Sequence, residues 1–200
     1  MTVHLTTFGI PGLDAVPYGL HVCHFYPSRE ELLDSLIPFF QAGLSNNELC
    51  VWIGADPLRA HDIRAAVKNY PDLEAAVSSN QLEILDSAEW YGTSTMNPES
   101  IVRRWLQKEE EALERGHQGL RLTGNTSFVH RNDWAGFIEY ERLFHTAVQG
   151  RRIVANCSYR RLNCEPVDML EVVSAHDAVL DRSQNGWQVL TKPSLKLTAP

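Results

Sequence analysis

Residues 19–40 read GLHVCHFYPSREELLDSLIPFF, and this stretch decides the fold. A run of apolar, β-branched and aromatic residues ends at Tyr26, a turn follows at Pro27, and a helical pattern begins at Ser28. Strand, turn and helix in that order make the unit of a parallel α/β sheet, and in nucleotide-binding proteins such a turn carries a glycine-rich phosphate loop. Here it is filled by His24, Phe25, Tyr26, Pro27 and Ser28, with no glycine. Ser28 and Glu31 form the Ser-x-x-Glu pattern of a capping box, worth about 1 kcal/mol, so the helix start is well fixed. Leu32, Leu33, Leu36, Ile37 and Phe40 follow at helical spacing, and Pro38 among them predicts a bend or a local break.

The same alternation continues along the chain. Strands are predicted over 20–26, 48–54, 82–86, 119–124 and 152–159, with a short terminal strand over 186–190 at an edge. Helices are predicted over 28–43, 57–69, 98–116, 132–148 and 166–180, the run Glu109, Glu110, Glu111 lying largely on a solvated face. The fold class is therefore α/β, with three layers: a mostly parallel sheet covered by helices on both faces. A chain of 200 residues, 44% hydrophobic, suits one core. We read a lead-in over 1–18, one domain over 19–190 and a tail over 191–200.

A net charge of −7 with 18 scattered basic residues argues against a direct nucleic-acid grip. No apolar run reaches the roughly 20 residues that cross a bilayer, and the first residues lack a signal-peptide pattern, so a cytoplasmic protein is expected. Cys23, Cys50 and Cys157 sit inside apolar runs and read as reduced, buried thiols, and Cys164 as the exposed one.

In an open parallel sheet, ligands bind beyond the carboxyl ends of the strands. Those ends carry Tyr26 and Ser28, then Asp56, then Asp86, Glu89, Trp90 and Tyr91, then Asn125, Thr126 and Ser127, and finally Cys157, Tyr159, Arg160 and Arg161. From these we take Tyr26, Ser28, Asp86, Trp90, Asn125, Cys157 and Tyr159 as candidate ligand-binding residues. Trp90 and Tyr91, in a mobile segment over 87–97, read equally as an aromatic wall or as a plug beneath a loop. Arg160 and Arg161 read as solvated.

His21 and Cys23 share a strand face and could hold one metal ion with Cys157 or His176, while His24 points the other way. Without any Cys-x-x-Cys or His-x-x-x-His pairing, buried structural thiols are the preferred reading. No metal site is predicted, and His21, Cys23, Cys157 and His176 are the set one would use. His176 reads as a core histidine on a helix face. No cofactor is required by the sequence, and no catalytic residue can be assigned.

The stretch HVCHFYPSREELLDSLIPFFQAGLSNNELCVWI, the strand ending in Asp86, ANCSYRRL and AHDAVLDRSQNGWQVL together resemble the MEDS family, the methanogen/methylotroph sensory domain. The likeness runs from about Gly19 to Leu190. It implies a non-enzymatic sensor of small hydrocarbon derivatives, working with a histidine kinase or a transcription regulator, and homo-oligomers are compatible with it. The blocks are also similar, more distantly, to RecA-like ATPases of the circadian-clock type. Against that pattern the phosphate loop is degenerate: it lacks the lysine and glycines that cradle phosphates, and the fourth strand ends in Gly124-Asn125 instead of a carboxylate for Mg²⁺. The RecA-like order implies a first strand between the fourth and fifth, gathering Tyr26, Asn125, Cys157 and Tyr159 around one space. The alternatives are a nucleotide-using enzyme that has moved its catalytic groups, and a metal or redox sensor through histidine and cysteine.

Overall fold

The computed structural model describes residues 4–11, 13–92, 96–125, 129, 131–184 and 186–191. Thr126, Ser127, the tail from 192 onward and part of the segment over 87–97 lie outside them. Nine strands are present among the described residues: β1 (Leu5–Thr6), β2 (Val16–Pro17), β3 (His21–Tyr26), β4 (Leu49–Gly54), β5 (Leu82–Asp86), β6 (Leu120–Thr123), β7 (Ile153–Arg160), β8 (Ala178–Ser183) and β9 (Gly186–Thr191). The helices are α1 (Arg29–Ser45), α2 (Ala60–Val67), α3 (Pro71–Ser78), α4 (Ser87–Tyr91), α5 (Pro98–Glu114), α6 (Trp134–Val148) and α7 (Pro166–Ser174).

Seven strands form one sheet in the order β5-β4-β6-β7-β3-β8-β9, parallel except for the antiparallel β8–β9 edge pair. The order corrects one expectation. β3 does not lie between β6 and β7; it pairs with β7 on one side and β8 on the other, so β7 separates it from β6.

Side chains alternate across the sheet, so each strand feeds two cores. One face carries Val22, Tyr26, Cys50, Trp52, Leu82 and Ile84 against α1, α2, α3 and the N-terminal segment. The other carries Cys23, Val51, Leu122, Ala155, Cys157 and Tyr159 against α4, α5, α6 and α7. The described part of the lead-in belongs to the first core, with Phe8, Ile10, Leu13 and Val16 buried.

Four further expectations are corrected. The helix predicted to reach Leu180 stops at Ser174, and a turn through His176 leads into β8, where Ala178 and Leu180 point inward and Val179 and Asp181 less so. The segment over 87–97 opens with α4, whose Trp90 is buried. Glu109 is buried, its carboxylate accepting from the Arg152 amide at 2.6 Å and pairing with Arg151 at 2.5 Å. Cys164 is half-buried. α1 meanwhile runs through Pro38 without ending there.

Candidate functional site

The carboxyl end of β3 is closed by its own side chains. Ser28 is the N-cap of α1 and accepts from the Glu31 amide at 3.3 Å. Glu31 does not complete a reciprocal box; its carboxylate lies 3.4 Å from His24 Nε2, and His24 Nδ1 meets Ser35 Oγ at 3.2 Å. Tyr26 is fully buried, and Asn125 Nδ2 donates to its hydroxyl oxygen at 3.2 Å across the strand ends. Burial pushes that phenol up to about 12, so it stays protonated. A phenol ring therefore fills the position where a phosphate loop needs bare backbone.

Asp86 lies elsewhere, in a polar cleft of about 400 Å³ with Gly54, Asp56, Arg59 and His61. One of its oxygens accepts from the Ala60 amide at 3.0 Å and so serves the start of α2. Arg59 is held in bidentate fashion by Asp56 at 2.8 and 3.0 Å, so its charge is already matched. The hydrogen bonds from Arg59 hold the Asp56 carboxyl below its usual range.

Trp90, Cys157 and Tyr159 face the opposite side of the sheet from Tyr26 and Asn125. The four residues expected around one space are thus split by the sheet itself, because Tyr26 and the directly paired Cys23–Cys157 positions differ by an odd step along β3. On the Cys157 side, β3, β7, α6 and the turn after α7 converge. His21 Nε2 is 3.3 Å from Cys157 Sγ and 3.4 Å from Glu141 Oε2, and His176 Nε2 is 3.6 Å from the same oxygen. The ligand atoms of these four residues all lie within 4.8 Å of one another. Each residue is at most 3% exposed.

Aromatic rings enclose this cluster. Phe144 stands edge-on to His21, Phe137 to Tyr159, and Tyr159 to His176, whose Nε2 its hydroxyl meets at 3.3 Å. His176 Nδ1 lies 2.7 Å from the Val172 carbonyl, an acceptor, so this nitrogen carries the proton and Nε2 offers its lone pair inward. Burial, then the nearby His21, holds His176 well below the ordinary imidazole value. Burial raises Glu141 above the usual carboxylate range, and burial followed by Glu141 raises Cys157 and Tyr159. Burial thus opposes charge on Glu141, Cys157, Tyr159 and His176 alike.

Of the metal set read from sequence, His21, Cys157 and His176 meet, while Cys23 turns its thiol toward the Ala178 carbonyl at 3.5 Å. Glu141 was missed. On α6 it reads as one more acidic residue of a surface helix, yet its neighbours Ile138 and Phe144, three positions away on either side, mark the buried face.

Beside the cluster, an open groove of about 590 Å³ runs between α7 and the β8–β9 edge. Phe25, Met169, Val173 and Leu190 supply apolar walls, His176 part of the floor and Arg161 a charged rim.

A sequence profile of the MEDS family, the methanogen/methylotroph, DcmR sensory domain, matches residues 20–177. The transcriptional repressor DcmR of Methylorubrum extorquens is 23% identical over 171 residues, which cover 84% of this chain and 62% of the repressor. The chain thus matches less than two thirds of that relative's length. A KaiC-like protein of the hyperthermophilic archaeon Pyrococcus horikoshii OT3 has the same fold, with a TM-score of 0.63 over 96% of this chain and 88% of its own, at 14% identity. No described helix is long and apolar enough to cross a membrane.

Proposed function

This chain belongs to the MEDS family, and we propose that it is a non-enzymatic sensory domain that binds a small, partly apolar hydrocarbon derivative and acts in the regulation of transcription. The observation that carries the reading is the groove of about 590 Å³ beside α7, whose apolar walls are bordered by the polar side chains of Arg161, Asp177 and Asp181. A pocket of that size with apolar walls and one or two polar groups suits a small organic molecule, held by area and oriented by a hydrogen bond. The plugged strand end supports the same reading: Tyr26 and Asn125 occupy the phosphate position and Asp56 neutralises Arg59, which leaves a nucleotide little to hold.

Binding in the groove is read out by the elements that line it. α7 and the β8–β9 edge move together with a ligand between them, and α7 carries Val167 and Leu170 exposed to a partner. The partner is a DNA-reading module or a histidine kinase, as expected of a domain with no basic face of its own.

Calorimetry and thermal-shift measurements with short-chain alcohols, aldehydes, amines and halogenated alkanes test this, with MgATP as the rival. One chemical class should bind saturably and raise stability by about 2.7 kcal/mol at a hundred times its dissociation constant. Val173→Asp should abolish that response. MgATP binding with turnover, and no response to any organic class, would sink the reading.

A further inference from the structure

We propose that His21, Glu141, Cys157 and His176 form a binding site for one divalent transition-metal ion of the zinc type. The site stands on the buried cluster and is independent of which molecule enters the groove.

Three observations carry it. The first is spacing. Metal-ligand bonds of about 2.0–2.3 Å in a tetrahedron set the ligand atoms about 3.3–3.7 Å apart. The separations here are 3.3 Å from His21 Nε2 to Cys157 Sγ, 3.4 Å from His21 Nε2 to Glu141 Oε2, and 3.6 Å from His176 Nε2 to Glu141 Oε2. These three separations match edges of a coordination tetrahedron, and all four ligand atoms lie within 4.8 Å of one another.

The second is the direction of the lone pairs. His176 Nδ1 donates to the Val172 carbonyl, which fixes the tautomer and aims Nε2 inward, the arrangement that orients a metal-ligating imidazole. Glu141 Oε2 is buried without a hydrogen-bond donor and touches both imidazole nitrogens. The Tyr159 hydroxyl beside His176 Nε2 brings a single proton, fewer than the converging acceptors, and a cation can satisfy them together.

The third is charge. One thiolate, one carboxylate and two neutral imidazoles around a divalent ion sum to zero, so the filled site puts no net charge into the core. Two nitrogens, a sulfur and an oxygen are a borderline-soft set, suited to zinc, cobalt or nickel and poorly suited to magnesium or calcium.

Binding is a proton exchange. The ion replaces the thiol proton of Cys157, held on by burial, together with whatever proton the Glu141 carboxyl group carries, and these leave to solvent. Each bond to hydrogen lost becomes a bond to metal, with no change in oxidation state.

The full chain, treated with a chelator and refolded with Co²⁺, tests the proposal. About one equivalent should bind with the visible bands of a tetrahedral ion and a thiolate-to-metal charge-transfer band, and Zn²⁺ should displace it. Calorimetry in buffers of different ionisation enthalpy should show at least one proton, that of Cys157, released per ion. Cys157→Ser should lose the charge-transfer band, and His176→Gln should weaken binding by about tenfold or more. Cys164→Ser should change neither. Because variants of core residues can fail to fold, protection of Cys157 from alkylation by bound Zn²⁺ in the unaltered chain gives a second readout. The proposal is overturned if the folded chain binds no Co²⁺ or Zn²⁺ at micromolar free metal. It is equally overturned if the charge-transfer band follows Cys164 instead of Cys157.

Discussion

The imidazoles of His21 and His176 lie with ring centroids 3.8 Å apart and 34° between their planes, both fully removed from water. A proton added to either ring places a positive charge against the other in a low-dielectric core, so the native state resists protonation at His176.

That resistance makes stability depend on pH on the acid side. The unfolded chain takes up the His176 proton near 6.5, and the native chain does so only well below that value. The stability tied to neutral His176 is present above 6.5 and is lost as pH falls from 6.5 toward the native value, at about 1.4 kcal/mol per pH unit. Glu141 acts with the opposite sign: its raised value contributes stability that is present below 4.5 and lost as pH rises. In urea titrations of metal-free protein, the unaltered chain should lose more stability between about pH 6.5 and pH 5.5 than His176→Gln does, because the opposing contribution of Glu141 is common to both. An unaltered chain that loses no more than His176→Gln over this window contradicts the assignment.

The thiols should react in a fixed order. Cys23, Cys50 and Cys157 are buried and Cys164 is half-buried, with burial pushing its thiol up to about 11. A disulfide reagent at pH 8 should therefore modify one thiol slowly in the native chain and all four on unfolding. Cys164→Ser should abolish the native reaction. A fast second thiol in the native protein contradicts the packing of β3 against β7.

On the α1 face of the sheet, Arg121 Nε lies 2.5 Å from Glu48 Oε2, both without exposure. Arg121 also donates to the carbonyls of Phe8, Phe39 and Thr7, and Glu48 accepts from Thr6 and Tyr18, so the pair ties the N-terminal segment to the sheet. Arg121→Met leaves a buried carboxylate without its partner and should cost about 3–5 kcal/mol in urea unfolding. Arg121→Met combined with Glu48→Gln should cost less than Arg121→Met alone. A larger cost for the pair means that the hydrogen bonds, and not the charge, hold the segment.

Two glycines should respond in opposite directions. Gly9 has φ +92°, and an added Cβ would come within 2.3 Å of the Pro38 carbonyl oxygen, so Gly9→Ala should destabilise by on the order of 2 kcal/mol or more. Gly136, in α6, has open space around its Cα, and Gly136→Ala should stabilise by about 0.5–1 kcal/mol. Thermal unfolding of the two variants measures both signs.

Much of the sheet was legible because each parallel strand is a short, continuous apolar run, as in LCVWIG and IVANCSYR. The missed strand, β8, follows α7 after a turn of three residues, and the valines on both sides of that turn continue a helical spacing through it. α3 lies between the helix predicted over 57–69 and the strand predicted over 82–86, a stretch with no predicted element, although Pro71 opens a helix at its first position. The half-site on β3 and β7 could be read from strand alternation, whereas Glu141 could not be placed. Its role depends on which side of the sheet α6 covers, and that is a property of chain path and not of local pattern.

β3 pairs in parallel with neighbours on both sides and is the wall between the two cores. Its odd positions, His21 and Cys23, belong to the side of Cys157, and its even positions, Val22, His24 and Tyr26, to the side of α1. Substitutions along this one strand should therefore sort by parity. Paired changes on the same side should be epistatic, and paired changes across the wall, such as at His21 and Tyr26, should combine nearly additively. The strand that opens the family's fold would then be inherited as two separately variable residue sets, interleaved in six consecutive positions.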